Sequence, residues 1–234
     1  MISIANSASY YQTADISAAF DSSGGNLLVA GLMLPGTGFP VSRTVTSIKY
    51  NNVDFTEKLN QSVYHSKDGG SNLNVYWYIL PNPTAGSNTF AVVTNTTPSD
   101  QIWCYLLSLT GVNSAFPFSG ATHGQDDADT APNPTLAITA AVDSTFGVMM
   151  GTHRPYTPSA NFFNPGTDFT ESIDAQGIAG SGDGRWAEYR TFLGTGSKTF
   201  DGTGNYDVAP APDSWGAIAI LLNASIQGQI LTWE

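Results

Sequence analysis

Apolar and polar residues alternate with a period of two along much of the chain, the spacing of a half-buried β-strand. Leu73 to Leu80 (LNVYWYIL) places Leu73, Val75, Trp77 and Ile79 on one face. Pro81 and Pro83 stop that strand, because proline cannot donate to a ladder. Val53 to Leu59 alternates as well, with Val53, Phe55 and Leu59 opposite Asp54, Thr56 and Lys58. It follows Thr44 to Tyr50 across Asn51-Asn52. Asparagine accepts left-handed dihedrals, so this pair predicts a two-residue hairpin turn. Leu27 to Leu34 (LLVAGLML) and Gln101 to Thr110 (QIWCYLLSLT) are apolar on both faces, as central strands are. Further strands are predicted at Asn88 to Thr94, Thr135 to Ala140, Thr145 to Thr152, Asp168 to Ile173, Arg185 to Leu193 and Trp215 to Leu222. Helical periodicity is nearly absent. Eight or more antiparallel strands predict an all-β, two-sheet antiparallel sandwich, jelly-roll-like, with long loops and extended termini. A propeller would need a regular repeat, and none is visible.

Four long loops separate the predicted strands, at Asn113 to Pro134, Arg154 to Thr167, Asp174 to Gly184 and Asp201 to Asp213. Structureless loops of that length are usually functional or ordered by a partner. No shift in composition divides the chain. The expected organisation is an N-terminal arm and first strand over 1–25, a β-sandwich domain over 26–223 and a C-terminal tail or edge strand over 224–234. Ile226, Ile230, Leu231 and Trp233 in that tail would meet water if it were free. They fit either a last edge strand or a contact with a neighbouring subunit. Ile2, Ile4, Tyr10 and Tyr11 raise the same alternatives.

Composition narrows the setting. Charged residues are 12% of the 234, about half the usual share of roughly 25%. Polarity comes instead from Ser, Thr, Asn and 24 Gly. The net charge is −11, with eight Lys plus Arg. Such a field repels phosphate backbones, and no basic cluster offsets it, which argues against nucleic-acid binding and against docking on an anionic membrane. No stretch approaches the ~20 apolar residues of a membrane span. The first twenty residues lack the basic and apolar regions of a secretory signal. Cys104 is the one cysteine. It excludes an intrachain disulfide and reads as a small buried hydrophobe.

Several segments together carry a resemblance. Leu27 to Gly31 has the form LLV-x-G, and Val45 to Asn51 the form of a VTS-x-x-Y-N hairpin. Trp77 to Gly86 ends a strand in WY-hydrophobic-x-NP-x-x-G. Ser108 to Pro117 ends another in S-hydrophobic-x-G-V-N followed by proline, and Ser214 to Asn223 (SWGAIAILLN) closes the series. The chain thereby resembles a β-sandwich, jelly-roll-like module of bacteriophage virion proteins and bacterial surface proteins. The resemblance covers the first half and the last strand. Residues 121–213 are longer and richer in loops. It implies a virion or cell-surface module, often in multimeric assemblies, and brings no catalytic residues. The hydroxyl- and amide-rich composition is common in extracellular proteins, and a virion protein reconciles it with the absent export signal, since it leaves its host by lysis; a trimmed secreted domain would reconcile them too.

Candidate chemistry is sparse. The four Glu are Glu57, Glu171, Glu188 and Glu234. A sandwich glycosidase needs two carboxylates facing each other across a cleft. Glu188, between Trp186 and Arg190, is the best single candidate. A surface or cross-strand ion pair with Arg190 or Arg185 is the preferred reading of it. His65, His123 and His153 are scattered, without metal-ligand spacing. Asp126, Asp127 and Asp129, near His123, are the candidate metal ligands. Three carboxylates in a loop suit Ca²⁺, although a solvated acidic loop is preferred. Gly180-Ser181-Gly182-Asp183-Gly184 is a flexible loop rather than a nucleophile elbow. Tyr156, Phe162, Phe163, Trp186 and Tyr206, in or beside the long loops, are candidate contacts for a glycan or a partner.

The expectation is therefore a non-enzymatic phage virion structural protein on the particle surface, as capsid decoration (cement) or fibre component. Its partners would be other virion proteins and copies of itself, with a trimer the favoured homo-oligomer, and a host-surface glycan as a further partner. No nucleic acid, membrane insertion or obligate cofactor is expected. A carbohydrate-binding or adhesin module is the alternative, followed by a glycan hydrolase or lyase acting through Glu188.

Overall fold

The computed structural model describes residues 1–36, 43–63, 72–95, 102–126, 134–154, 163–176, 184–204 and 214–225. It is an antiparallel all-β structure, with no helix among the described residues. The first half of the chain holds β1 (Ser3–Gln12), β2 (Ile16–Asp21), β3 (Leu27–Gly36), β4 (Val45–Tyr50), β5 (Val53–Asp54), β6 (Thr56–Val63), β7 (Asn72–Pro81), β8 (Ser87–Thr94) and β9 (Ile102–Thr110). The second holds β10 (Phe118–Asp126), β11 (Thr135–Ala140), β12 (Ser144–Arg154), β13 (Phe163–Pro165), β14 (Thr170–Gln176), β15 (Gly184–Leu193), β16 (Gly196–Gly204) and β17 (Ser214–Asn223).

The strands form four sheets, not two. The first half makes a five-stranded sheet, β1-β9-β3-β7-β6, and a four-stranded one, β2-β8-β4-β5. The second half makes a five-stranded sheet, β10-β17-β12-β15-β14, and a three-stranded one, β11-β16-β13. Each half winds as a jelly roll. With β5 left out, the two strand orders are identical, so the fold is duplicated along the chain.

Three apolar layers bind the four sheets. Leu28, Leu32, Tyr76 and Leu106 of the first inner sheet pack against Ile16, Tyr50, Phe90 and Val92 of its outer sheet. The opposite face of that inner sheet, with Val29, Val75, Trp77 and Leu107, packs against Phe146, Val148, Met150, Ile218 and Ile220 of the second inner sheet. Met149, Trp186, Phe192 and Ala219 on the far side of that sheet pack against Leu136, Ile138 and Phe200. The inner sheets are thus covered on both faces, which is why β3, β7, β9 and β17 read as continuous apolar runs. The outer sheets turn Ser, Thr and Ala to water: Ser17, Ala19 and Thr89 on one, Thr135, Ala137, Thr139, Ser197 and Thr199 on the other.

The halves meet through their inner sheets. β9 and β17 end side by side, with Asn113 N donating to Asn223 O at 2.9 Å and Ser225 N to Gly111 O at 2.8 Å. Tyr11 of β1 lies 3.6 Å under the Arg185 guanidinium of β15, and Phe118 of β10 lies 5.2 Å from Lys58 Nζ of β6. The first strand of each half therefore reaches the inner sheet of the other half.

The Asn51-Asn52 turn has φ of 49° and 63°, the left-handed pair expected of a type I′ hairpin. The alternation predicted after it breaks at Phe55, where the chain crosses from the outer to the inner sheet. Val53 is consequently exposed, while Phe55 is buried against Phe90. The predicted loops at 113–134 and 154–167 contain β10 and β13, and that at 201–213 contains the end of β16. The strand ends that flank residues 37–42, 64–71, 96–101, 127–133, 155–162, 177–183 and 205–213 all lie at one pole. Short turns, among them 51–52, 141–143 and 194–195, gather at the other.

Candidate functional site

The most chemically distinctive corner of the molecule lies where β15 meets the turn between β13 and β14. Alternation on β15 sends Trp186, Glu188, Arg190 and Phe192 toward the three-stranded sheet, and Ala187 and Tyr189 toward the centre. Glu188 is 0% exposed. Its Oε2 accepts a hydrogen bond from Gly166 N at 3.0 Å. Its Oε1 is buried without a partner among the described residues. Burial, the larger effect, and the nearby Asp201 charge push its carboxyl up to about 8, against the pull of the Gly166 N–H. Both effects favour the neutral acid over the carboxylate.

The surface ion pair expected for Glu188 is not formed. Arg190 turns instead to the turn itself, with Nη2 3.1 Å from Asp168 Oδ2 and Nη1 3.0 Å from Thr167 O. Arg185, three residues from Glu188, points to the opposite face and over Tyr11. The jelly-roll return explains the difference. It lays β13 and β16 over β15, so a position that would face water on a single sheet becomes interior.

The other candidates fall apart in space. Trp186 is 1% exposed and belongs to the core, so it is no glycan or partner contact. Phe163 starts β13. Tyr156, Phe162 and Tyr206 lie outside the described residues, as do Ile226, Ile230, Leu231 and Trp233. Asp126 is not in a solvated loop. It is the last residue of β10, buried opposite Trp215, and Asp127 and Asp129 lie outside the described residues. His123 is exposed on β10, while His65 lies outside the described residues. Among the described residues no group of three or more His, Cys, Asp or Glu is placed to hold a metal ion. Cys104 is buried, and burial pushes its thiol up, away from reactivity.

Gly166, Asp168 and Asp201 escaped the sequence reading. A Cβ on Gly166 would fall on the carbonyl oxygen of Asp201 and lie 2.5 Å from its Oδ1. Asp168 has φ of 65°, an uncommon value outside glycine that aspartate tolerates. Gly166-Thr167-Asp168 did carry a turn signal, but nothing in it named β15 as the partner.

No protein family matches the chain, and neither a curated protein nor a solved structure does.

Proposed function

We propose that this chain is a non-enzymatic structural protein of a bacteriophage virion, exposed on the particle surface as a capsid decoration protein or fibre component. The observation that carries this reading is the pair of jelly rolls fused through their inner sheets. Jelly rolls recur in viral capsid and lectin domains, an analogy of fold, since one fold serves many roles. The outer faces support it, because they are broad, short of charge and wetted by hydroxyl groups. The net charge of −11 favours solubility over nucleic-acid contact. The segments that resemble virion modules form β3, the β4–β5 hairpin, the ends of β7 and β9, and β17. Self-association, with a trimer favoured, and other virion proteins as partners belong to the same proposal.

A glycan-binding or adhesin role shares the winding but loses Trp186, which lies in the core. The deciding experiment is immunogold electron microscopy of purified particles from a host carrying the gene, with solution mass by light scattering. Label on capsids or tails and a mass of several chains are expected. A strict monomer whose antibody marks no particle would rule the reading out.

A further inference from the structure

Two side chains two positions apart on β15 fasten one turn. Glu188 holds Gly166 N, and Arg190 holds Thr167 O and the Asp168 carboxylate. Phe169 N closes the turn on Gly166 O at 3.0 Å, and the Phe169 ring lies 5.8 Å from Phe192 and 5.9 Å from Phe200. The turn joins two edge strands, β13 of the outer sheet and β14 of the inner one. Holding it down therefore closes the corner between the two sheets.

The two fastenings differ in kind. The Arg190–Asp168 pair is a partly exposed ion pair. The Glu188 fastening is buried, and half of its carboxyl has no partner among the described residues. The charged groups on adjoining elements are Asp201 on β16, Glu171 directly across on β14, Asp168 in the turn, and Arg190. Met149 faces Glu188 from β12, and Ala219 follows it on β17. β11 and β13 bring no titratable side chain. The cation is already committed to Asp168, so a charge on Glu188 would meet Asp201 and apolar walls.

We propose that Glu188 is a proton-operated latch: protonated, it keeps the Gly166–Phe169 turn seated on β15, and ionised, it lets water in and frees the turn. The latch is independent of the virion reading. Its direction follows from linkage. The folded chain holds this proton more tightly than the unfolded chain, whose carboxyl has the ordinary value of 4.5. The stability it contributes is thus complete below about pH 4.5 and is lost as pH rises through about 8.

Hydrogen exchange of the Gly166, Thr167 and Phe169 amides, corrected for intrinsic rate and followed from pH 5 to 9.5, tests the latch on the whole chain. Protection should fall by about tenfold per pH unit as pH rises toward the midpoint and level off above it, while the β3 and β9 amides stay protected. In Glu188→Gln the turn should stay protected throughout, with the melting temperature above that of the parent chain at pH 9. In Asp201→Asn, which removes the nearby negative charge, the midpoint should move to lower pH. Identical pH profiles in the parent and Glu188→Gln would overturn the latch, as would a midpoint unmoved in Asp201→Asn. Recovery of protection at pH 9 on adding millimolar Ca²⁺ would overturn it as well, by showing that the corner takes a cation rather than a proton.

Discussion

Gly31 lies where the two jelly rolls meet, and filling it tests how they are joined. A Cβ at Gly31 would overlap Sδ of Met150, which reaches across from β12, and would lie 2.7 and 2.9 Å from Cζ3 and Cη2 of Trp77. Met150 can swing aside, but the Trp77 indole is locked in the central layer at 0% exposure. Overpacking of this kind costs about 1–3 kcal/mol. For a chain of this size each kcal/mol lowers Tm by about 2–4 °C, so Gly31→Ala should lose about 2–12 °C. Met150→Ala alone should cost about 2–5 kcal/mol through the cavity it leaves. The double variant is the informative one, because the new methyl enters the space the thioether vacates. The cycle should show a favourable coupling of about 0.5–3 kcal/mol, incomplete because Trp77 still crowds the methyl. Urea unfolding followed by tryptophan fluorescence supplies all four free energies. If the two effects add to within about 0.5 kcal/mol, β3 and β12 do not meet face to face, and the four-layer stack is wrong.

Three further outcomes follow from the same packing. Tyr50 donates its buried hydroxyl to Gly86 O at 2.5 Å, beside Ser22 Oγ, and accepts Asn88 Nδ2 at 3.2 Å. Tyr50→Phe should cost about 1–3 kcal/mol in thermal unfolding, and a neutral result would mean that the hydroxyl ties nothing together. Cys104 should stay silent to a thiol reagent in the folded chain and give one equivalent in denaturant. Rapid labelling without denaturant would show that the first sandwich opens. Gly166→Ala should destabilise more than Gly31→Ala, because its methyl meets backbone of β16 rather than a pliable side chain. The reverse order of melting temperatures would contradict the placement of the turn.

Much of the fold is written in side-chain period. Leu73, Val75, Trp77 and Ile79 share the central layer, and Thr135 to Ala140 is a strand with the predicted limits. Asn51-Asn52 specifies its turn locally. β10 was missed because Phe118 to Asp126 (FSGATHGQD) is an edge strand with two glycines and little apolar alternation, so its pairing with β17 comes from tertiary context. β16 shows another limit. Lys198 points inward, and its ammonium escapes to the Leu193 and Thr195 carbonyls at 2.8 and 3.3 Å, so a charge stands at a core position and interrupts the pattern. Glu188 was misplaced for the same reason in reverse. Its neighbours Trp186 and Arg190 mark one face of a strand, but only the return of β13 and β16 decides whether that face is wet.

The duplication was invisible for a deeper reason. A jelly roll needs only that each strand alternate and that its connections be long enough to cross between sheets. Many unrelated side chains satisfy those conditions, so two copies of one winding need share no residue pattern. What the halves do share is a demand on their inner sheets. Each must be apolar on both faces, one for its own outer sheet and one for its twin. β3 with β9 in the first half, and β17 in the second, meet that demand with unbroken apolar runs. β12 and β15 meet it with larger rings and methionines spaced among glycines. An isolated half would expose the face of its inner sheet that now forms the central layer, an apolar surface far larger than a soluble monomer leaves open. The central layer therefore makes the two jelly rolls one folding unit. That is why apolar runs too long for a simple sandwich were the strongest signal in the sequence of something stacked on both sides.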